Sequence, residues 1–569
     1  MTGTLRINIV IALFIFLAVC MGSRLLYLNL IDGGFLQDQG DARTIRMERI
    51  NAHRGMIQDR RGKPLAVSSP VISLWANPAE LPDSGEHVEP LAEMLGITAE
   101  KFLAKIDRSS SKNFVYLRRH LRPMEARKIL AMKIPGVHGE HEYQRYYPSG
   151  EVGAHVVGFT NIDDKGQEGL ELSFDQWLAG TPGKKKVVKN LYGEIIRDLV
   201  PISDAIPGKN LELSVDIRLQ YLAYRELKSA VKHYKADSGT VIVLDVETGR
   251  VLAMVNQPSY NPNNRRNLDL STVRNRAVTD IFEPGSTMKP FTVAVALSSG
   301  KFTPDSKIDT NPGFIKVGSK TIRDPSNRGV LDLGEIIAKS SQVGISKLAL
   351  SLNEYEVWEM FKRVGLGEST GVGFPGERNG YLPNHRRWKD IERVTFAYGY
   401  GLTATPLQLA ASYLTIAAGG MKREVSMLNN GELIEKRVYS AKVATQLKRM
   451  LTQVVEEGTG SKAAIKSYDV AGKTGTVRKI GKDGYKDTEH IAFFAGMTPV
   501  TEPRLVGVVL INNPKTAVYG GGSIAAPVFS RVMSEALRVL NVPPNIPANP
   551  ASSDKSVVNA AANYHDKAA

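Results

Sequence analysis

Ser286 and Lys289 stand three residues apart in the stretch "FEPGSTMKPF", residues 282–291. A serine hydroxyl beside an amine is a nucleophile beside a base, the pairing that acyl transfer uses. The tetrad alone does not establish that chemistry. Ser-x-x-Lys occurs by chance in many chains, and serine after Pro-Gly is an ordinary helix entry. Pro290 adds geometry. Lacking an amide proton, it belongs in the first turn of a helix, which puts the helix start within a residue or two of Ser286. Unpaired amides and the positive dipole end stabilise an oxyanion at such a place. A spacing of three also brings both side chains onto one helical face, so that they can touch.

Two further stretches give the pair company. "AGKTGTV" puts Lys473-Thr474-Gly475 on a predicted strand, and "KSSQVGISKLAL" between them carries Ser340, Ser341 and Gln342. Ser-x-x-Lys, a second serine motif and Lys-Thr-Gly, in that order, form the signature of penicillin-binding proteins and serine β-lactamases. With "RGMIQDRRGKPLA", "GQEGLE", "TGRVLAM" and "FAYGYGLTATPLQLA" added, the chain resembles the class B penicillin-binding proteins over nearly its whole length. Within them it is most similar to the division-specific septal D,D-transpeptidases of Gram-negative bacteria.

That resemblance implies roles. Ser286 is the nucleophile and Lys289 its base, with burial and a second cation, Lys473, lowering the Lys289 pKa. Ser340 relays protons to the departing amine. Lys473, Thr474 and Thr476 bind the substrate carboxylate, and the backbone amides of Ser286 and Thr476 make the oxyanion hole. Gly475 suits close approach of a substrate that pairs as an added strand. The second motif departs from the family pattern, Ser-x-Asn, by having Gln342 at its end. The extra methylene demands a shifted backbone or a different rotamer for Gln342 to serve as the substrate-orienting amide. The resemblance also implies peptidoglycan stem peptides as substrate, β-lactams as covalent inhibitors, a membrane glycan polymerase and other division proteins as partners, and no cofactor. No Glu-x-x-x-Asn follows Lys289, which argues against a β-lactamase of the commonest class. A D,D-carboxypeptidase, an elongation-specific transpeptidase, and a β-lactam sensor or division scaffold stay open on sequence alone.

The elements that must position these residues follow from composition and periodicity. "GTVIVLDVETGRVLAMVN" reads as a hairpin turning at Glu247-Thr248-Gly249. "AGKTGTVRKI", "HIAFFAGMTP" and "RLVGVVLINNP" read as strands, while "LQYLAYRELKSAVKHY" and "PVFSRVMSEALRVL" read as helices. The fold class is therefore mixed α and β. It comprises an N-terminal transmembrane helix, an elongated mixed pedestal domain, and a penicillin-binding (serine β-lactamase-like) domain with a central antiparallel sheet flanked by helices. The Pro/Gly/Asp-rich stretch at 203–210 marks the boundary. The expected divisions are a cytoplasmic tail at 1–6, the anchor at 7–30, the pedestal at 31–205, the transpeptidase domain at 206–540 and a disordered tail at 541–569.

Residues 7–23 form an apolar run between Arg6 and Arg24, at the short end of the spanning range, with Tyr27 as an interfacial anchor. No convincing cleavage site follows, so an uncleaved inner-membrane anchor is expected, with the bulk on the periplasmic side and no glycan-polymerising domain ahead of it. The net charge of +15 is spread along the chain, and its densest run, Lys184-Lys185-Lys186, lacks interleaved aromatics. Nucleic acid is not an expected partner. Cys20 is the one cysteine, so no intramolecular disulfide forms. His141 and His155 share no metal-ligand spacing, so no metal is expected, and His490 reads as structural or at the site rim. "YGYGLTATP" (398–406) reads as scaffold rather than a nucleotide cradle.

Overall fold

The computed structural model describes residues 3–31, 34–35, 38, 42, 44–81, 87–189, 195–384, 387–481 and 484–547. The chain forms two compact units whose segments alternate. The smaller takes the residues up to Arg54, Ser68–Gln144 and Ala179–Lys209, and the larger takes Gly55–Val67, Arg145–Leu178 and the chain from Asn210. The boundary expected near residue 205 is thus only the last of several crossings. Most of the disordered tail expected at 541–569 lies outside the described residues. Its first part is held in place, with Val542 O accepting from Tyr468 Oη at 2.7 Å and Asn545 N donating to Ser467 O at 3.2 Å.

In the smaller unit, α1 (Gly3–Leu30) is one continuous helix with no buried residue. It is long and apolar enough to cross a membrane. Strand β1 (Ile45–Ile50) precedes β2 (Pro64–Ala76), β3 (Val115–Leu121), β4 (Val137–Tyr146), β5 (Gly183–Lys189) and β6 (Ile195–Ser203). From Ser68 onward β2 pairs antiparallel with β3, with Trp75 opposite Tyr116. Ile72, Leu74, Leu91, Leu95, Phe102, Leu117, Leu121 and Ile129 form the core of this layer. Strands β1, β5 and β6 make a separate antiparallel sheet. The lysine run lies in β5, where Lys185 faces Glu48 in register and pairs with it at 3.4 Å. That gives the run a structural place.

The larger unit is built on a five-stranded antiparallel sheet. Strands β7 (Ser238–Asp245) and β8 (Val251–Gln257) form the predicted hairpin. Strands β10 (Ala471–Gly481), β11 (Gly484–Thr498) and β12 (Leu505–Asn512) complete the order β8-β7-β12-β11-β10, and a short strand, β9 (Lys320–Arg323), lies outside it. Every residue of β7 is buried because both faces are covered. Val241 and Val243 join one core with α2 (Ile217–His233) and α8 (Gly521–Val539). Ile242 and Leu244 point the other way, as period-two alternation requires. They meet a core that includes α3 (Lys289–Ser298), α4 (Leu333–Ala338), α5 (Gln342–Ser351), α6 (Pro406–Ala417) and α7 (Ala441–Glu456). The sheet is flanked by helices on both faces, as expected. β10 is an edge strand, so its outer backbone groups face the segment that carries Ser286.

Candidate active site

Gly285–Met288 forms one turn of 3-10 helix running into α3, with Pro290 in the first turn. Residues three apart eclipse in a 3-10 turn, so Ser286 and Lys289 share a face. The turn is wedged against β10. Gly285 has φ +51°, and a Cβ on it would lie 2.6 Å from Val477 Cγ1. Only glycine satisfies both conditions. Behind the turn stands the 398–406 loop. Gly285 N donates to Gly399 O at 3.0 Å, Phe282 and Ala404 exchange backbone bonds of 3.0 and 2.9 Å, and Gly401 N donates to the Glu283 carboxylate at 2.9 Å. The loop is scaffold for the serine turn.

Lys289 is fully buried. Its Nζ donates to Ser340 O at 2.6 Å and approaches Ser340 Oγ at 3.2 Å. Among the described residues its hydrogen bonds thus go to Ser340 rather than to Ser286, a difference from the direct contact that the spacing predicts. Burial holds the Lys289 amine well below the usual lysine range. The Lys473 cation pushes the same way, Asp324 pushes back, and Arg328 adds a smaller push downward. Lys473 is also fully buried, and burial pushes its amine down to about 7. Its Nζ lies 3.2 Å from Thr474 O and 3.4 Å from Thr474 Oγ1, and Thr474 Oγ1 lies 2.8 Å from Thr459 Oγ1. Thr476 Oγ1 accepts from Gly521 N at 2.9 Å, which leaves its O–H able to donate. At Gly475 a Cβ would lie 2.0 Å from the Phe493 ring on β11. The demand for glycine there comes from the core, a reason the sequence reading did not supply.

Ser340 sits where α4 ends. Ser340 N donates to Ile337 O at 3.2 Å and Ser341 N to Ile336 O at 3.0 Å, the paired bonds of a Schellman motif. The residue between is usually glycine. Here it is Ser340 with φ +55°, a left-handed conformation that costs a non-glycine residue about 1 kcal/mol. Ser341 then caps α5, its Oγ accepting from Gly344 N at 2.9 Å. Gln342 opens α5, and its side chain lines a cleft of about 420 Å³ with Glu283, Tyr398, Tyr400 and Tyr485. Tyr485 donates to Glu283 at 2.9 Å, and burial, then that carboxylate, raise the Tyr485 pKa. The motif pointed to neither Glu283 nor Tyr485, and Ser341 was legible only as a serine ahead of an apolar helix.

The histidines fall outside this site. His155 is buried with Nε2 donating to Thr272 O at 2.8 Å, and burial pushes it down to about 4. His490 stacks on Tyr519 at 4.2 Å. Among the described residues no three His, Cys, Asp or Glu side chains are grouped to hold a metal ion.

The sequence matches two family models, the penicillin binding protein transpeptidase domain over residues 239–534 and the penicillin-binding protein dimerisation domain over 49–213. It is 43% identical over 536 residues to peptidoglycan D,D-transpeptidase FtsI of Escherichia coli K12, covering 93% of this chain and 90% of that protein. It is 40% identical over 539 residues to the protein of the same name from Buchnera aphidicola of Schizaphis graminum, covering 94% of each. Among solved structures, the transpeptidase domain of Burkholderia pseudomallei penicillin-binding protein 3 is 40% identical with a TM-score of 0.55, covering 59% of this chain and 98% of that one. Penicillin-binding protein 3 of Mycobacterium tuberculosis complexed with aztreonam is 26% identical with a TM-score of 0.69, covering 88% of this chain and 99% of that one.

Proposed function

Because the chain belongs to the penicillin-binding protein transpeptidase family, we propose that it is a peptidoglycan D,D-transpeptidase acting through an acyl-enzyme on Ser286. The observation that carries this reading is the buried Lys289 amine, three residues from Ser286 and held on Ser340. A neutral amine has two N–H groups and one lone pair. The N–H groups serve Ser340, and the lone pair is left for the Ser286 proton.

Ser286 Oγ attacks the carbonyl carbon of the penultimate D-alanine in a stem peptide as its proton passes to Lys289 Nζ. The carbonyl oxygen takes the negative charge between the backbone amides of Ser286 and Thr476. Collapse breaks the C–N bond, and the nitrogen of the terminal D-alanine leaves with a proton from Ser340, which Lys289 replenishes. An amine from a neighbouring stem then attacks the ester, its proton returns by the same path, and Ser286 is restored. Lys473, Thr474 and Thr476 hold the terminal carboxylate, and the edge position of β10 supports a substrate bound as an added strand. Gln342 orients the substrate from the adjoining cleft. A β-lactam acylates Ser286 by the same first step, but its leaving nitrogen stays tethered. α1 supports a membrane anchor, and the family resemblance implies the inner membrane with the catalytic unit in the periplasm. The FtsI relatives support work at the division septum, and the family resemblance implies a membrane glycan polymerase and other division proteins as partners.

Labelling with a fluorescent penicillin tests the assignment. Wild type is expected to hold the label for hours and Ser286→Ala to stay dark. Label on Ser286→Ala would overturn the nucleophile, and rapid loss from wild type would turn the reading to hydrolysis.

A further inference from the structure

The smaller unit carries a cleft that the reaction at Ser286 does not use. Period-two alternation along β2 sends Leu74 and Ala76 into the core and leaves Trp75 on the other face of the sheet. There Trp75 meets two tilted rings, Phe114 at 4.8 Å and 31° and His138 of β4 at 4.4 Å and 32°. Tyr116 of β3 stands edge-on to Phe114 at 4.8 Å. These rings make a shelf rather than a core, since Phe114 is 42% exposed. Trp75, Phe114 and His138 line a cleft of about 800 Å³ together with Glu48 and Arg49 of β1 and Lys185 of β5.

The polar groups of the cleft are balanced in charge. Glu48 pairs with Lys185 at 3.4 Å, and Glu142 with Arg119 at 2.6 Å. Glu140 accepts from Tyr116 Oη at 3.2 Å. The ionised lining is three carboxylates against two cations, so the cleft has no strong field to gather a polyanion. Asn51 Nδ2 donates to His141 O at 3.3 Å, while among the described residues Asn51 Oδ1 and Tyr143 Oη make no hydrogen bond. A protein interface is depleted of charge at its core, whereas here ionised groups stand against the rings. Rings beside carboxylates, an amide and a phenol complement a pyranose. Its C–H face lies on a ring, and its hydroxyl and N-acetyl groups bond to the polar rim. Resting on the transpeptidase reading given above, which makes the substrate a glycan strand carrying stem peptides, we infer that this cleft is a glycan-binding site. It holds the sugar backbone on Trp75 and Phe114, with Asn51, Tyr143 and Glu140 at the rim.

Chitotetraose, a peptide-free run of β-1,4-linked N-acetylglucosamine, is the probe. Calorimetry on the full chain in detergent is expected to show saturable binding, and the same binding after acylation with penicillin. Phe114→Ala alters an exposed ring and is expected to bind about five- to tenfold more weakly, the scale of one aromatic contact. Trp75→Phe keeps a ring, so it is expected to bind within about threefold of wild type while losing the tryptophan fluorescence change that binding produces. Absence of saturable binding overturns the inference. So does an affinity of Phe114→Ala within about twofold of wild type, which decides alone if Trp75→Phe does not fold. A fluorescence change that persists in Trp75→Phe would place the sugar elsewhere, and binding lost on acylation would place it at Ser286. Either result overturns the cleft. Penicillin labelling of Ser286→Ala separates the two claims. Label on that variant sinks the transpeptidase reading, whereas a dark Ser286→Ala beside absent sugar binding sinks the cleft alone.

Discussion

Two buried lysines with opposite duties predict a bell. On the proposed mechanism Lys289 has to be neutral to take the serine proton, and Lys473 has to be charged to hold a carboxylate. Burial and the Lys473 charge depress the Lys289 amine, so it loses its proton well below the ordinary lysine range and sets the acid limb. Lys473 is charged below about 7 and neutral above it in the free protein, so it sets the alkaline limb. Acylation rate against pH is expected to rise and then fall, and Lys473→Arg to lose the fall because guanidinium stays charged. An alkaline limb that survives in Lys473→Arg removes Lys473 from that duty. Gln342 supports a separate prediction, since its side chain lines a cleft with Glu283 and Tyr485. Gln342→Asn withdraws the amide by one methylene and is expected to change the ranking of β-lactams by acylation rate while cross-linking persists. Identical rates across a β-lactam panel would refute this. At this scale the candidate residues of the three motifs were nameable from sequence because a motif gives residue types at fixed spacing.

Elements set the geometry that the motifs leave unstated. Hydrophobic period foretold β7, β8, β10, β11, β12, α2 and α8, since strands covered on both faces and long amphipathic helices declare themselves. The Schellman turn at the end of α4 was hidden, because its signal is normally a glycine just past the helix end and here Ser340 takes the place. The strain has a use only if the hydroxyl does. Ser340→Gly is expected to leave stability unchanged or raise it by up to about 1 kcal/mol while cross-linking collapses, whereas Ser340→Val should cost about 1–2 kcal/mol. Denaturant unfolding beside turnover measures both, and a Ser340→Gly variant that keeps its activity would show that the hydroxyl is dispensable. Gly475 belongs to the same scale. Its place on β10 looked like room for a substrate, but the Phe493 ring occupies the space where a Cβ would go. Gly475→Ala is expected to lower stability by about 1–3 kcal/mol even with no ligand present. An unchanged unfolding midpoint would return the glycine to a role in substrate approach alone.

Over the whole chain, composition marks one candidate boundary, while the contacts interleave the segments of two units. A Pro/Gly/Asp cluster marks where a chain can leave a domain, and 203–210 is such a place. It carries no trace of which earlier segments come back. Gly55–Val67 and Arg145–Leu178 belong to the larger unit through bonds between residues distant in sequence, which periodicity cannot see. Asp59 Oδ2 accepts from Ile217 N at 3.2 Å at the start of α2, and Gln220 Nε2 donates to Val152 O at 3.0 Å. Tyr260 donates to Ala154 O at 3.0 Å, and His155 donates to Thr272 O at 2.8 Å. A chain cut to residues 206–547 keeps Ser286, Lys289, Ser340 and Lys473 but leaves Gln220, Tyr260 and Thr272 without these partners. Each buried polar group so exposed costs about 1–3 kcal/mol, reduced wherever water replaces the lost partner. The shortened chain is therefore expected to be acylated at the wild-type rate while its thermal midpoint falls by on the order of 5 °C. Calorimetry beside fluorescent-penicillin labelling decides between the two partitions. Coincident midpoints would mean that the expected cut at 206 is the true edge of the catalytic unit, and a fall in both stability and labelling would mean that the returning segments also position the site.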